Sequence, residues 1–408
     1  MISKSIFLIA LLATSAVHAQ TPPDSIDLAT VIQLARGDNP RLVVEEQDVA
    51  IARADRMTAG ARPNPSVSFT GSHQPGEITN YEGRGALEGT IELPLLLGGQ
   101  RSARIRAADQ GIVAARSRLA ATGNELAAEA GAAFVNLLVA QKKRDLQARN
   151  MQELDRLREI VAGRRAAGMA SEYDLLRIDV ALETWRTELA ETETDVITAQ
   201  AELAGQLGYA GWKPLAVGEL LPAMVGPTIE SENLAIIAAR DEQKAATAGV
   251  EVARRERFPE VSLNAGHFRT TNPFGPTYSA GLTVEIPLFD RRKGAVRRAE
   301  AEAQAAALRR QLIEAQVQTD IDRLSAQVDN RAAALARFER QIAPRMPALK
   351  QMAEDSYRLS GGSIVELLDA TRTLFETQAA HLELIGKLVE AKIRLQGVRG
   401  EFSPVVDR

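Results

Sequence analysis

The apolar positions of this chain switch between a helical and a strand period, and they do so twice in the same order. Residues 27–61 carry a helical period that opens at Asp27 and is interrupted near Gly37 and Pro40. Residues 65–72 alternate instead, with Val67, Phe69 and Gly71 on one side and Ser66, Ser68 and Thr70 on the other. A polar loop with Pro75, Gly76, Asn80 and Gly83 leads to a second alternating run. That run sets Leu87, Gly89, Ile91 and Leu93 against Glu88, Thr90 and Glu92. From residue 99 to 167 only isolated glycines interrupt a helical pattern, which at roughly 1.5 Å per residue extends on the order of 100 Å. A turn at 168–171 opens a return helix.

The second round repeats the first. Asn64, Pro65 and Phe69 find partners at Phe258, Pro259 and Leu263; Pro94 and Leu95 return as Pro287 and Leu288; Ser171, Leu175, Leu182, Leu203 and Gly208 match Ser363, Leu367, Leu374, Leu395 and Gly400. Its strands place Val261, Leu263 and Ala265, then Tyr278, Ala280, Leu282, Val284 and Ile286, on one face, around a loop holding Asn272, Pro273, Gly275 and Pro276. The unit reads short helix, strand, strand, long helix, tight turn, second helix. The chain is therefore mainly α with a small β part, with a first repeat at 20–208, a Gly/Pro-rich linker at 209–230, a second repeat at 231–400 and a tail at 401–408.

The long helices carry coiled-coil seams: Ile105, Ile112, Leu119 and Leu126 on one, and Leu175, Leu182, Leu189, Val196 and Leu203 on its return, the latter flanked by Ile178, Trp185 and Ala199. In the second copy the return seam is Leu367, Leu374, Leu388 and Leu395 with Ala370, Leu384, Ala391 and Val398, broken only by His381. Pro344 and Pro347 have no counterpart in the first copy, so the second long helix is expected to bend or break there while the first stays continuous.

Four strands with one apolar and one polar face have the length of outer-membrane barrel strands. They cannot close a barrel alone, because even small barrels need about eight. In lipid the missing strands would have to come from other copies of the chain. Residues 1–19 read as a cleaved signal peptide, with Lys4, an apolar centre and Val17-His18-Ala19 before the cut. No cysteine is present, so disulfides, thiolate metal sites and a lipid-bearing cysteine are excluded within this sequence. A formal net charge of −4 gives no basic footprint for nucleic acid, and 4% aromatic content suits close-packed helices with small contact residues.

In this order, Arg62-Pro63-Asn64-Pro65, the junctions at Pro94 and Pro287, and the segment Ser363-Ile364-Val365-Glu366-Leu367-Leu368-Asp369-Ala370 resemble the TolC family of outer-membrane efflux channels. The junction Gly98-Gly99-Gln100-Arg101-Ser102-Ala103-Arg104 is similar to its cobalt-zinc-cadmium branch. The resemblance implies a homotrimer with a shared 12-stranded transmembrane β-barrel and a periplasmic α-barrel. It also implies docking through an adaptor onto an inner-membrane RND-type pump, and passive conduction, here of divalent heavy-metal cations. Drug efflux and type I secretion are alternatives within channels; a periplasmic coiled-coil adaptor is the alternative of another class.

Site residues follow from the same resemblance. Glu366 and Asp369 fall where the family has acidic rings in the bore, one helical turn apart. Asp174 and Tyr357 fall where neighbouring hairpins are latched. The latch arginine position is Gly362, with Arg358 or Arg177 as substitutes. The tips Gly168, Met169, Ala170 and Ser171, and Ser360, Gly361, Gly362 and Ser363, are the expected adaptor-docking surface. Plain solvated helix-end carboxylates are the simpler reading of the acids. His73 and His267 are repeat mates without a second ligand at useful spacing, so no metal site and no cofactor is expected. A phosphate-binding glycine loop and a nucleophile elbow are both missing, so no catalytic residues are expected and the chain is not read as an enzyme.

Overall fold

The computed structural model describes residues 22–37, 39–73, 85–220, 232–270, 275–359 and 362–402. The signal segment, the loop prolines Pro75 and Pro273, the linker residues Pro222, Gly226 and Pro227, the tip residues Ser360 and Gly361, and most of the tail lie outside them.

A two-residue strand β1 (Ser25–Ile26) precedes α1 (Leu28–Gly37) and α2 (Pro40–Gly60). The interruption read at Gly37 and Pro40 is a helix boundary. Pro40 opens α2, where its missing N–H costs nothing. The buried Asn39 side chain accepts from the Arg41 N–H and donates to the Gln206 carbonyl at 2.8 Å, tying the cap to the first hairpin.

Strands β2 (Ser66–His73) and β3 (Gly85–Leu95) lead into α3 (Gln100–Ala166) and α4 (Glu172–Leu207). A short β4 (Leu215–Ala216) then pairs in parallel with β1. That pair is absent from the sequence reading, and it shows that the start of the linker packs: Ala216 and Leu220 are buried in the central core. The second copy follows as α5 (Leu234–Arg255), β5 (Val261–Thr270), β6 (Thr277–Val284) and α6 (Lys293–Gln341). A 3₁₀ turn (Ala343–Arg345) separates α6 from α7 (Met346–Arg358), and α8 (Ile364–Val398) closes the unit. β6 ends two residues before the expected Ile286.

The four longer strands form one antiparallel sheet in the order β2-β3-β5-β6. Its register sorts side chains as alternation predicts. Val67, Ile91, Ala265 and Ala280 stand in one row; Phe69, Gly89, His267 and Tyr278 form the next on the same face. Ser68, Thr90, Gly266 and Ser279 stand on the other face. Phe69, Leu87, Ile91, Tyr278 and Leu282 are exposed, so among the described residues nothing covers the apolar face. Strands β2 and β6 have no partner on their outer edges among the described residues.

Helix α3 is the central post, packing on α1, α2, α4, α5 and α8. Around its middle, Ala130, Phe134, Val135, Leu137 and Leu138 are buried among neighbours on several sides. Small residues let α8 approach: a Cβ on Gly386 would sit 2.5 Å from a Val139 methyl, and one on Gly397 2.4 Å from the Ala128 Cβ. The return seams are as read, with Ile178, Leu182, Val196 and Leu203 buried on α4 and Leu367, Leu374, Leu388 and Ala391 on α8. The outgoing seam differs. Only Leu126 is fully buried; Ile105, Ile112 and Leu119 are half-buried, because near the sheet α3 packs through Ala103, Ala114 and Ala115.

The prolines act as expected. Helix α6 stops at Gln341, Pro344 lies in the 3₁₀ turn, and Pro347 sits in the first turn of α7, where no intrahelical donor is needed. At the matching level α3 runs on unbroken.

Candidate channel gate at the hairpin tips

Both hairpins turn by the same local chemistry. At the first, Gly168 takes a left-handed conformation (φ 71°), and the Met169 N–H reaches the Arg164 carbonyl at 2.8 Å, ending α3. Ser171 then caps α4. Its hydroxyl accepts from the Asp174 N–H at 3.2 Å, and the Asp174 carboxylate accepts from the Ser171 N–H at 2.9 Å. At the second tip Ser363 and Glu366 build the same box, with both bonds at 3.3 Å. Asp174 and Glu366 are thus equivalent residues of the duplicated unit. The resemblance gave them different roles, latch and ring, whereas locally each is the third-position acid of a capping box. Asp369, one turn further along α8, has no such duty; it is exposed beside Glu366, with Glu376 on the same stripe. Its counterpart on α4 is Arg177.

Between the hairpins the structure brings Asp174, Tyr357 and a residue absent from the reading, Arg164, into one cluster. Tyr357 on α7 is 4% exposed. Burial pushes its hydroxyl above the usual tyrosine range, and the nearby Asp174 charge pushes the same way. The Arg164 guanidinium carbon lies 5.0 Å from the Tyr357 ring centroid. One of its nitrogens donates to the Arg358 carbonyl at 2.5 Å, another to the Met169 carbonyl at 3.3 Å. The cation that crosses between hairpins at the Tyr357 cluster is therefore Arg164; Arg358 contributes a backbone oxygen, and both its side chain and Arg177 are exposed. At Gly362 a Cβ would meet the Ser356 hydroxyl at 2.7 Å, so any side chain there requires Ser356 to shift.

Beneath this cluster lies an ionic ladder that periodicity could not show. Lys350 of α7 bridges Glu153 of α3 at 2.7 Å and its own neighbour Glu354 at 3.3 Å, and Arg156 of α3 meets Glu354 at 3.5 Å. The Glu354 side chain is only 6% exposed, so its two cations are what allow the charge to stay there. Trp185 and Phe375 stack edge-to-face at 5.1 Å in the apolar layer that joins α4 to α8.

At the opposite end, the glycine-arginine junction has structural work of its own. Gly99 caps α3 in a left-handed conformation (φ 75°) and Gly98 lies against the Phe258 ring, where a Cβ would clash at 2.4 Å. Arg101 donates to the Gly60 carbonyl at the end of α2, and Arg104 pairs with Glu256 at the end of α5 at 2.9 Å. Arg101 thus closes the C-terminus of α2, while Arg104 ties α3 to the side chain that follows α5. His267 lies on the apolar sheet face beside Tyr278, ring centroids 4.9 Å apart. Among the described residues no three potential ligands gather.

The outer membrane efflux protein family matches this chain over residues 31–209 and again over 227–401. The chain belongs to that family. The double match reproduces the internal repeat and sets aside the adaptor alternative. Among relatives of this efflux protein, the cobalt-zinc-cadmium resistance protein CzcC of Cupriavidus metallidurans is 26% identical over 391 residues, 92% of this chain and 90% of that protein. The nickel-cobalt-cadmium resistance protein NccC of Alcaligenes xylosoxydans xylosoxydans is 28% identical, over 79% of this chain and 72% of its own length. The fold is that of the solved CusC channel (TM-score 0.78, 20% identity, covering 94% and 95% of the two chains) and of the Campylobacter jejuni CmeC outer membrane channel (TM-score 0.73, 15% identity, 93% and 87%).

Proposed function

We propose that three copies of this efflux protein close one 12-stranded barrel in the outer membrane, prolong it as a helical duct into the periplasm, and passively conduct heavy-metal cations. The observation that carries this reading is a four-stranded sheet whose apolar face is uncovered and whose edges are both open among the described residues. Such edges are tolerable in lipid only once paired, and three sheets supply twelve strands. The chain reaches this site behind a signal peptide removed after residue 19, and its cysteine-free sequence offers no thiol for a lipid anchor. It catalyses nothing. An inner-membrane RND-type pump provides the driving force, and a periplasmic adaptor meets the hairpin tips at Gly168, Met169, Ala170, Ser171, Ser360, Gly361, Gly362 and Ser363.

Metal cations are favoured as cargo by two relatives named for metal resistance. Glu366 and Asp369, repeated by threefold symmetry, form rings that select cations. Asp174, Tyr357 and Arg164 hold the hairpins shut. The experiment is a bilayer measurement on protein whose mass in detergent has been checked. A trimer with cation-selective conductance is expected, and E366A/D369A should lose most of that selectivity. A monomer, or a channel indifferent to both substitutions, overturns the corresponding half of the reading. Complementation of a deletion strain exposed to zinc, cobalt and cadmium tests the cargo.

A further inference from the structure

We propose that the rim where the sheet meets the helices is a binding belt for anionic phospholipid headgroups. The register sets the start of β2, the end of β3, the start of β5 and the end of β6 at one end of the sheet. Every junction there is basic. Arg101 and Arg104 serve helix ends, and Arg292 pairs with Glu256 and Glu260. Four further cations do not: Arg62, Arg257, Arg291 and Lys293 are exposed and form no ion pair with a described carboxylate.

Cations outnumber the acids left over. Glu256 and Glu260 hold the paired arginines, and Asp290, which accepts the Arg292 backbone N–H at 2.8 Å, keeps its single charge among the four cations. Glu285 follows Val284 and so falls on the polar side of the alternation. Between these cations lie exposed apolar and aromatic side chains, Leu97, Phe258, Ile286, Leu288 and Phe289. They continue the uncovered apolar face of the sheet down to the charged level. Apolar surface ending in aromatics and unpaired cations matches the boundary between acyl chains and phosphate.

Assembly sharpens the argument. This step rests on the trimeric barrel proposed above. Pairing β6 of one copy with β2 of the next puts Arg291 and Lys293 on the same short stretch of rim as Arg62 of its neighbour. Three like charges gather at each seam, and a headgroup phosphate is the anion that the adjoining bilayer supplies there. Near an anionic surface each basic residue strengthens attachment about fivefold.

The test uses the full-length protein in nanodiscs of phosphatidylcholine alone or mixed with phosphatidylglycerol, with native mass spectrometry counting retained lipid. Wild type is expected to keep phosphatidylglycerol over phosphatidylcholine by about tenfold or more. R62Q/R257Q/R291Q/K293Q should lose that preference while staying trimeric and conducting. High salt should weaken the preference of wild type without any mutation. Equal retention of both lipids by wild type, an unaltered preference in the variant, or displacement by millimolar inorganic phosphate would overturn the proposal. A failure of the trimer itself registers separately in the same spectra, as a monomer in either lipid.

Discussion

The two hairpins are copies with different mechanics. The first has an outgoing helix of 67 residues without a break; in the second the same path is divided into helices of 49 and 13 residues by a proline-bearing turn. The first is also the better buried, since α3 is packed by five helices. The second touches it near the tip through Arg164 and the Glu153-Arg156-Lys350-Glu354 ladder, and these polar contacts gather on α7, the segment beyond the break. A rigid post and a jointed arm meet through an apolar layer and, on α7, through a few charged contacts, so in the latch proposed above the movable part is α7 with the start of α8.

The comparison can be broken most forcefully by giving the first hairpin the joint of the second. Gln152, exposed on α3 at the level of Pro344, is the place. Q152P should cost about 3 kcal/mol or more by removing a helical hydrogen bond and crowding the preceding turn. Thermal unfolding of the trimer would read it, and an unchanged midpoint would mean that the continuity of α3 is not what makes it the post. Next in size is R164A. Hydrogen bonds from a charged donor contribute about 1.5–3 kcal/mol, so the closed state should weaken roughly 10- to 100-fold. Resting conductance in bilayers should rise accordingly, whereas R177A and R358A should leave it close to wild type.

Smaller still, S171A and S363A each remove a capping hydroxyl, at a cost of about 1 kcal/mol. Stability should fall equally in the two, but amide exchange at the start of α8 should accelerate more than at the start of α4, which leans on the post. Equal acceleration would argue that the hairpins are mechanically alike after all. The mildest effect is in pH. The hydrogen bond from Lys143 on α3 holds the Glu383 carboxyl of α8 below its ordinary value. Its contribution is therefore complete above the unfolded-state pKa and is lost as pH falls through the lowered one. K143M should flatten the stability curve in that acidic window: its cost, small for a partly exposed pair, should be present in full at neutral pH and vanish below the lowered pKa.

Much of this was legible before any coordinates. Period changes placed the strands and their faces, and Pro344 and Pro347 located the joint, because local stereochemistry decides both. Ser171 and Ser363 are repeat partners in the sequence, although the separate roles implied by the resemblance hide how alike Asp174 and Glu366 are as capping acids. Arg164 stayed hidden. The substitutes read from the sequence, Arg358 and Arg177, lie beside the turns, whereas which side chain of α3 reaches across depends on the rotation of that 67-residue helix about its axis. The half-buried row of Ile105, Ile112 and Leu119 has a related cause: a heptad announces a seam but not whether large or small side chains will meet there. The β1-β4 pair is too short for any periodicity to report.

Strands β3 and β5 pair continuously from Leu95 against Val261 to Ala86 against Thr270, so the two copies of the unit meet inside one polypeptide. That ladder forms at the high effective concentration a covalent tether confers, and dilution cannot undo it. In the trimer proposed above, the remaining contact of each copy, β6 on the neighbour's β2, has to be found by encounter in the membrane. Only half of the six seams around the barrel therefore obey mass action. Assembly of the pore should depend on the third power of protomer concentration, where six separate hairpins would demand the sixth.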